Sequence, residues 1–426
     1  MPGHRILKPH DLDGWLSYIA TLHTQVIDLG LERLAAVAAS LEPLHCRVVT
    51  VGGTNGKGST VAFLERMYLA AGYRVGAYFS PHLIRYNERV RVMGEEVDDA
   101  TLCAAFAEVE RVRGDTPLTY FEFGTLAAFV VFATAGLDVA VLEVGLGGRL
   151  DAVNVVDSDV AVVVSVGTDH KDWLGDDRET IGREKAGIFR KDRPAVLGAD
   201  MPQSVRMSAR ALGACAIEAG RDFQIERLTA QWRYKSAQGV RDLPFPALRG
   251  PYQLHNAACA IAAIEAAGLP VQADAVRRGL LEVRLRGRFQ TLPGRPLVVL
   301  DVAHNTEAAM ALVDALAAQP IDGRTWAVAG MLSDKPIGEV LSLLAPRVDG
   351  WHVASVQDPR GAKATVLVEA LLRCGVTAVT AHGDVVAAFA AAQAQAREDD
   401  RIVVFGSFKT VGAILATVSR HERPDG

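Results

Sequence analysis

Apolar residues along the chain fall into two alternating textures. Short Val-rich runs are continuous rather than alternating: VVTVGG at 48–53, RVGAYFS at 74–80, DVAVLEVG at 138–145, VAVVVSVG at 160–167 and AVLGA at 195–199. Longer helical segments stand between them, namely STVAFLERMYLAAG (59–72), TYFEFGTLAAFVVFATAG (119–136) and ETIGREKAGIF (179–189). Continuous apolar strands separated by helices predict a mostly parallel sheet covered on both faces, because a strand with one wet face would alternate. The stretch 224–253 does alternate and carries turn residues, which predicts a small antiparallel excursion before a helix over 255–268. RFQTLPGRP at 288–296 combines two prolines with two basic residues and predicts a domain boundary, dividing 1–290 from 291–426. Beyond it the alternation restarts with PLVVLDVAHN, a helix to about 318, RTWAVAG, KPIGEVLSLLAPRV, GWHVASV, a helix from about 363, and RIVVFGSF at 401–408. This reads as a second, smaller Rossmann-like α/β unit, with SRHERPDG as a frayed tail.

Composition narrows the class. Half of the 426 residues are hydrophobic and 22% are charged, as in an ordinary globular protein with a large core. The net charge of −5 speaks against nucleic acid and anionic membrane surfaces as partners. Five scattered cysteines (Cys46, Cys103, Cys215, Cys259 and Cys374) form no CxxC pair, which argues against a zinc module or disulfide framework and fits a reducing, cytoplasmic setting. The first residues hold no signal-like apolar core, and the apolar runs are cut by Gly and charge too soon to span a bilayer. A monomer is expected.

The first chemical signal is GGTNGKGST at 52–60, between a predicted strand and a predicted helix. That is the context of a phosphate-binding loop: glycines let backbone N–H groups converge on phosphate, and the helix N-terminus adds positive dipole. Lys57 would neutralise phosphate charge, and Ser59 or Thr60 would supply an oxygen near Mg²⁺. Gly58 separates the lysine from the hydroxyl, which departs from the usual pattern. In an open parallel sheet, ligand groups gather at the carboxyl ends of strands. Ser80, Glu143 and His170 all follow or end strands and are candidates to meet beside this loop. Glu143 has the strongest claim, because a carboxylate in an apolar strand needs a partner.

The loop G-T-N-G-K-G-S resembles that of the Mur ligase superfamily of ATP-dependent amide ligases. SPHLIRYNERVRVMG (80–94), TYFEFGTLAAF (119–129), LEVGLGGRLDAVN (142–154), TDHKDWLG (168–175), REKAGIF (183–189), PYQLHNAACA (251–260), GRFQ (287–290), DVAHN (301–305) and FGSFKTVG (405–412) narrow the likeness. Together they resemble the folylpolyglutamate synthase/dihydrofolate synthase family, most closely its bifunctional bacterial members.

The resemblance implies an ATP-dependent ligase that joins L-glutamate to dihydropteroate, and to tetrahydrofolate and its polyglutamates, through an acyl phosphate. It implies that Thr54, Asn55, Gly56, Lys57, Gly58, Ser59, Asn256, Arg288, Asp301 and His304 contact ATP. Asn256 would otherwise cap a helix. The resemblance makes Ser80, Glu143 and His170 the ligands of Mg²⁺, with two ions expected and Asp169 orienting the ring or binding through water. It makes Lys185 a lysine carbamylated by CO₂. It assigns Thr119, Tyr120, Phe121 and Glu122, with Leu150, Asp151 and Ala152, to a dihydropteroate site. There aromatic faces would stack on the pterin and a carboxylate would accept its protons. Tyr120 and Phe121 read equally well as core residues. Ser407 and Lys409, with Lys335, are candidates for the incoming glutamate's carboxylates, although a histidine is common in the family where Lys409 stands. Lys57, Lys185 and His304 are the catalytic candidates; His304 and Asp301 are both possible bases. The alternatives are a folylpolyglutamate synthase alone, another Mur-type ligase, or a P-loop kinase. A cell-wall precursor ligase would usually carry an added N-terminal UDP-binding domain, and the roughly fifty residues before the loop count against that expectation.

Overall fold

The computed structural model describes residues 9–250 and 252–421. An eight-stranded sheet forms the larger unit, in the order Glu95–Glu96, Val90–Val92, Val75–Tyr78, Val139–Glu143, Arg47–Gly52, Val160–Val163, Pro194–Leu197, Cys215–Glu218. Only the hairpin at the first edge is antiparallel; the other strands run parallel. The Val-rich strands are buried on both faces, and two separate apolar cores cover the sheet, which is why their sequences do not alternate. The helices Asp99–Arg113 and Tyr120–Thr134 lie in one core, while Lys57–Ala70 and Gln253–Ala266 lie in the other. The expected antiparallel excursion is a three-stranded sheet, Phe223–Arg227, Trp232–Ser236 and Gly239–Leu243.

The second sheet has six strands, in the order Gln290–Leu292, Leu297–Asp301, Arg401–Phe405, Thr325–Ala329, Gly350–Ala354, Val379–His382. The first of these is antiparallel and is drawn from the proline-bearing segment 288–296. The others are parallel. The last helix, Phe408–His421, runs into the expected tail; residues 422–426 of that tail lie outside the described residues. No helix among the described residues is long and apolar enough to cross a membrane.

Candidate active site between the two sheets

The strand Arg47–Gly52 lies at the centre of the large sheet, paired to Val139–Glu143 on one side and Val160–Val163 on the other. The chain leaving its carboxyl end is therefore flanked by the ends of both neighbours. Gly53 (φ +153°) and Gly56 (φ +85°) turn it into the helix Lys57–Ala70. Gly56 caps that helix without a side-chain hydrogen bond, so the first-turn amides remain open to an anion. The turn is braced from the Val160–Val163 side. Thr54 N–H donates to Ser165 O (2.9 Å), Asn55 N–H to Ser165 Oγ (2.9 Å), and Gly167 N–H to Thr54 Oγ1 (2.9 Å). Lys57 Nζ curls back onto the loop, donating to Gly53 O at 2.9 Å and Thr54 O at 3.3 Å. Burial pushes the Lys57 ammonium down, while Glu143 and Asp169 pull it up. Ser59 is buried, within 3.3 Å of Gln253 Nε2 as acceptor.

Gly58 borders the buried Glu143 carboxylate: a Cβ there would stand in contact with it, 3.4 Å from Oε2 and 3.5 Å from Oε1, and the glycine leaves that space open. Glu143 Oε2 accepts the Ser80 N–H at 3.1 Å. Burial raises the carboxyl; Lys57, the Ser80 amide and Arg288 oppose that. A buried acid with one amide, a nearby lysine and open space on its flank suits a hard cation that takes oxygen ligands. His170, with φ +53°, stands at the end of the 165–170 loop, and burial lowers its imidazole to about 4, keeping a neutral nitrogen available. No contact joins it to Glu143 or Ser80 among the described residues. Lys185, on the helix Arg178–Ala186, is buried and has no hydrogen-bond or ion-pair partner among the described residues. Burial lowers its amine to about 7, and Lys57 adds to the effect.

The second sheet closes over this end. Asn305 and Asn55 exchange amide hydrogen bonds of 3.1 and 3.2 Å. Asn305 also donates to Asp169 Oδ2 (3.1 Å), and Lys335 Nζ donates to Asp169 Oδ1 (2.7 Å). His304 Nε2 lies 3.6 Å from Asp169 Oδ2, with its Nδ1 at 2.7 Å from Val302 O. Burial would raise the Asp169 carboxyl, but His304, Lys335 and His170 hold it well below the ordinary carboxylate range. Lys335, a candidate for the glutamate carboxylates, has a side chain only 5% exposed and paired with Asp169 across the interface. Asp301 accepts the Phe289 and Ala303 N–H groups, both at 2.8 Å, and Arg288 lies over the Phe408 ring at 5.2 Å. A cleft of about 1460 Å³ runs between the units, lined by Gly58, Ser80 and Glu143 on one side and Arg288, Phe289 and Phe408 on the other.

Several predicted residues have local duties. The helix begins at Gln253, so Asn256 is not its cap; its amide donates to Gln253 Oε1 (3.0 Å), and its Oδ1 lies 2.4 Å from where a Gly56 Cβ would stand. Thr119 and Glu122 form a capping box at the start of the helix Tyr120–Thr134. Glu122 Oε1 also accepts Arg33 Nη2 at 2.8 Å, and Arg33 pairs with Asp28 as well. Tyr120 and Phe121 are half-buried rather than core: Phe121 faces Tyr78 (6.2 Å) and Tyr120 faces Tyr86 (5.8 Å). Asp151 accepts the Leu146 (2.7 Å) and Val153 (3.1 Å) N–H groups, and burial raises its carboxyl to about 6. Leu150 is half-buried and Ala152 buried beside it. Ser407 is buried, bonded to Thr410 Oγ1 at 2.7 Å, and Lys409 is 62% exposed, 3.5 Å from Asp358. Sequence reasoning missed Asn305, Arg33 and Asp28. Asn305 lay inside the DVAHN motif; Arg33 carried no signal at all.

Residues 51–264 match the family described as Mur ligase middle domain, and residues 287–408 match Mur ligase, glutamate ligase domain. The chain is 47% identical over 411 residues to the dihydrofolate synthase/folylpolyglutamate synthase of Escherichia coli, covering 96% of this chain and 95% of that protein. Its structure is similar to that of E. coli FolC in complex with DHPP and ADP (TM-score 0.92, 46% identity, covering 97% of this chain and 99% of that one). It is also similar to a bifunctional folylpolyglutamate synthase/dihydrofolate synthase with Mn, AMPPNP and L-glutamate bound (TM-score 0.90, 46% identity, covering 97% and 100%).

Proposed function

The chain belongs to the dihydrofolate synthase/folylpolyglutamate synthases of the Mur ligase family and is an ATP-dependent glutamate ligase, and from that premise we propose how its residues divide the work. The observation that carries the reading is the uncapped start of the helix Lys57–Ala70, open beside Lys57 and Glu143 at the mouth of the interdomain cleft. The triphosphate of ATP lies on residues 54–59, with Lys57 leaving its two loop carbonyls to meet phosphate oxygens. Arg288 approaches from the hinge. Asp301 and His304 contact the ribose side, and Asn256 supports the turn and faces the base. Ser80, Glu143 and His170 would hold Mg²⁺, which supplies charge neutralisation to the transferring phosphoryl group when bound.

Dihydropteroate or a reduced folate lies with its ring against Tyr120 and Phe121, near Asp151, in a wall that Glu122, Leu150 and Ala152 complete and that Arg33 buttresses. Its carboxylate oxygen attacks the γ-phosphorus, and ADP leaves. The glutamate amine then attacks the acyl carbon of the acyl phosphate, and phosphate departs. Most of the acceleration comes from positioning and from charge neutralisation by Lys57. His304 is the base we favour, since Asp301 already accepts two backbone amides, whereas only Nδ1 of the His304 ring is within hydrogen-bond distance of a protein atom and Nε2, 3.6 Å from Asp169, is left for the amine. The unit 291–426 supplies the glutamate-binding side, through Ser407 and Lys409. Lys185 is carbamylated: a buried amine with no partner among the described residues, lowered to about 7 by burial, supplies the neutral form that adds CO₂.

Purified protein with ATP, Mg²⁺, glutamate and dihydropteroate is expected to release ADP only when glutamate is present and to yield an amide product detectable by mass. ADP release with tetrahydrofolate but none with dihydropteroate would leave the polyglutamate synthase alone. Release in neither case would overturn the residue assignment.

A further inference from the structure

We propose that the outer half of the interdomain cleft is a subsite for the γ-linked polyglutamate tail of the folate acceptor, held by Arg249 and Arg284. The inference rests on the ligase reading above. The cleft starts at the reacting end, where Gly58, Ser80 and Glu143 line it, and continues outward between two walls. One wall, residues 247–249 and 281–286, presents Arg249, Arg284 and Arg286. Arg249 and Arg284 are exposed, and neither has an ion-pair or hydrogen-bond partner among the described residues. Arg286 reaches only Glu96, at 3.8 Å.

On the facing wall most charges are already engaged, and the carboxylates left there are Glu95, exposed and without a partner among the described residues, and Glu96 beside Arg286. Arg85 pairs with Asp99 at 2.9 Å and Arg91 with Glu65 at 3.3 Å. Glu88 accepts the backbone N–H groups of Leu83, Ile84 and Arg85, so its carboxylate is neutralised locally rather than opposing an incoming anion. In a chain of net charge −5, Arg249 and Arg284 are two free guanidiniums on one cleft wall, and with Arg286 and Arg288 the cations lining that wall outnumber Glu95 and Glu96 opposite. The planar guanidinium forks match carboxylate geometry.

The tail is the ligand whose charge grows there. The pterin end is fixed against Tyr120 and Phe121, and the reacting γ-carboxylate is fixed near Glu143. Each glutamate already added stands between those two points and carries one α-carboxylate. Extra residues must bulge out of the direct path, and the arginine wall is where the cleft offers cations for them.

The test is the double variant Arg249→Gln/Arg284→Gln, assayed with dihydropteroate, tetrahydrofolate and tetrahydrofolate triglutamate. The KM for the triglutamate is expected to rise roughly tenfold, in line with two solvent-exposed charge pairs. The KM values for dihydropteroate and ATP are expected to stay within about twofold, which is the scatter of surface substitutions. The difference should shrink as salt is added, and the double change to Lys should restore most of it. An equal rise for dihydropteroate and triglutamate would overturn the subsite. So would a rise in KM for ATP, which would give these arginines to the nucleotide. Direct titration with the triglutamate separates this inference from the ligase reading. Arginine-dependent binding without amide formation would sink the ligase reading alone; equal affinity of variant and parent would sink the subsite alone.

Discussion

Two buried ionisable side chains, Glu143 lining the cleft and Lys185 on the helix Arg178–Ala186, show how position sets chemistry. Glu143 is an acid with open space on the side of Gly58, and Lys185 is an amine without a partner among the described residues. The lysine gives a signed prediction. With its pKa lowered from 10.5 to about 7, the unfolded chain binds a proton between those values that the folded chain does not. In protein stripped of CO₂, stability should therefore rise with pH across that window. Denaturant midpoints at neutral and alkaline pH should show this slope for the parent and lose it in Lys185→Met. Supplying CO₂ should add the mass of one CO₂ to the parent but not to the variant; a parent of unchanged mass would refute the carbamate.

At the scale of elements, what matters is how a strand hands over to a helix. The turn from Arg47–Gly52 into Lys57–Ala70 has no room for a side chain at Gly56: its φ is +85° and a Cβ would fall 2.4 Å from Asn256 Oδ1. Gly56→Ala should cost at least about 1 kcal/mol from the left-handed backbone alone and displace Asn256. Titration with an ATP analogue is expected to show at least about a tenfold loss of affinity; unchanged binding would mean the loop does not hold the triphosphate. The capping box at Thr119 and Glu122 makes a milder case, and Thr119→Ala should cost roughly 0.5–2 kcal/mol by denaturation. The central strands were legible because burial on both faces leaves a continuous apolar signature. The edge strand Val379–His382 went unread, since its residues are half-buried or exposed and write no such run.

For the whole molecule, the contact of the two units has an apolar patch where Leu83 and Ile84 pack against the second unit's core and a polar centre at Asp169. Asn305, Lys335 and His304 of the second unit all converge on this one carboxylate, 11% exposed, from the 165–170 loop of the first. Gly412 adds a close approach: a Cβ there would lie 2.1 Å from Leu83 O, so the last helix touches the loop that follows Ser80. Lys335→Ala should leave Asp169 buried and short of its main cation, at a cost of about 3–5 kcal/mol. Pairing Lys335→Met with Asp169→Asn should recover much of that loss, and a double-mutant cycle measures the coupling. Additive losses would show that the pair does not join the units.

Residue order alone determined the parallel sheet, the second α/β unit and the phosphate loop, because burial pattern, turn glycines and the lysine–hydroxyl spacing are properties of neighbours along the chain. It also supplied the motifs that carried the family likeness. Only the tertiary structure decided which polar groups are free and which already have partners. Lys335 is engaged by Asp169, Glu122 by Arg33 and Thr119, and each oxygen of Asp301 by one backbone amide, while Lys185, Arg249 and Arg284 keep no partner among the described residues. Partnership and desolvation depend on groups far apart in sequence, such as Asn55 and Asn305, which meet only when the two sheets close on one another.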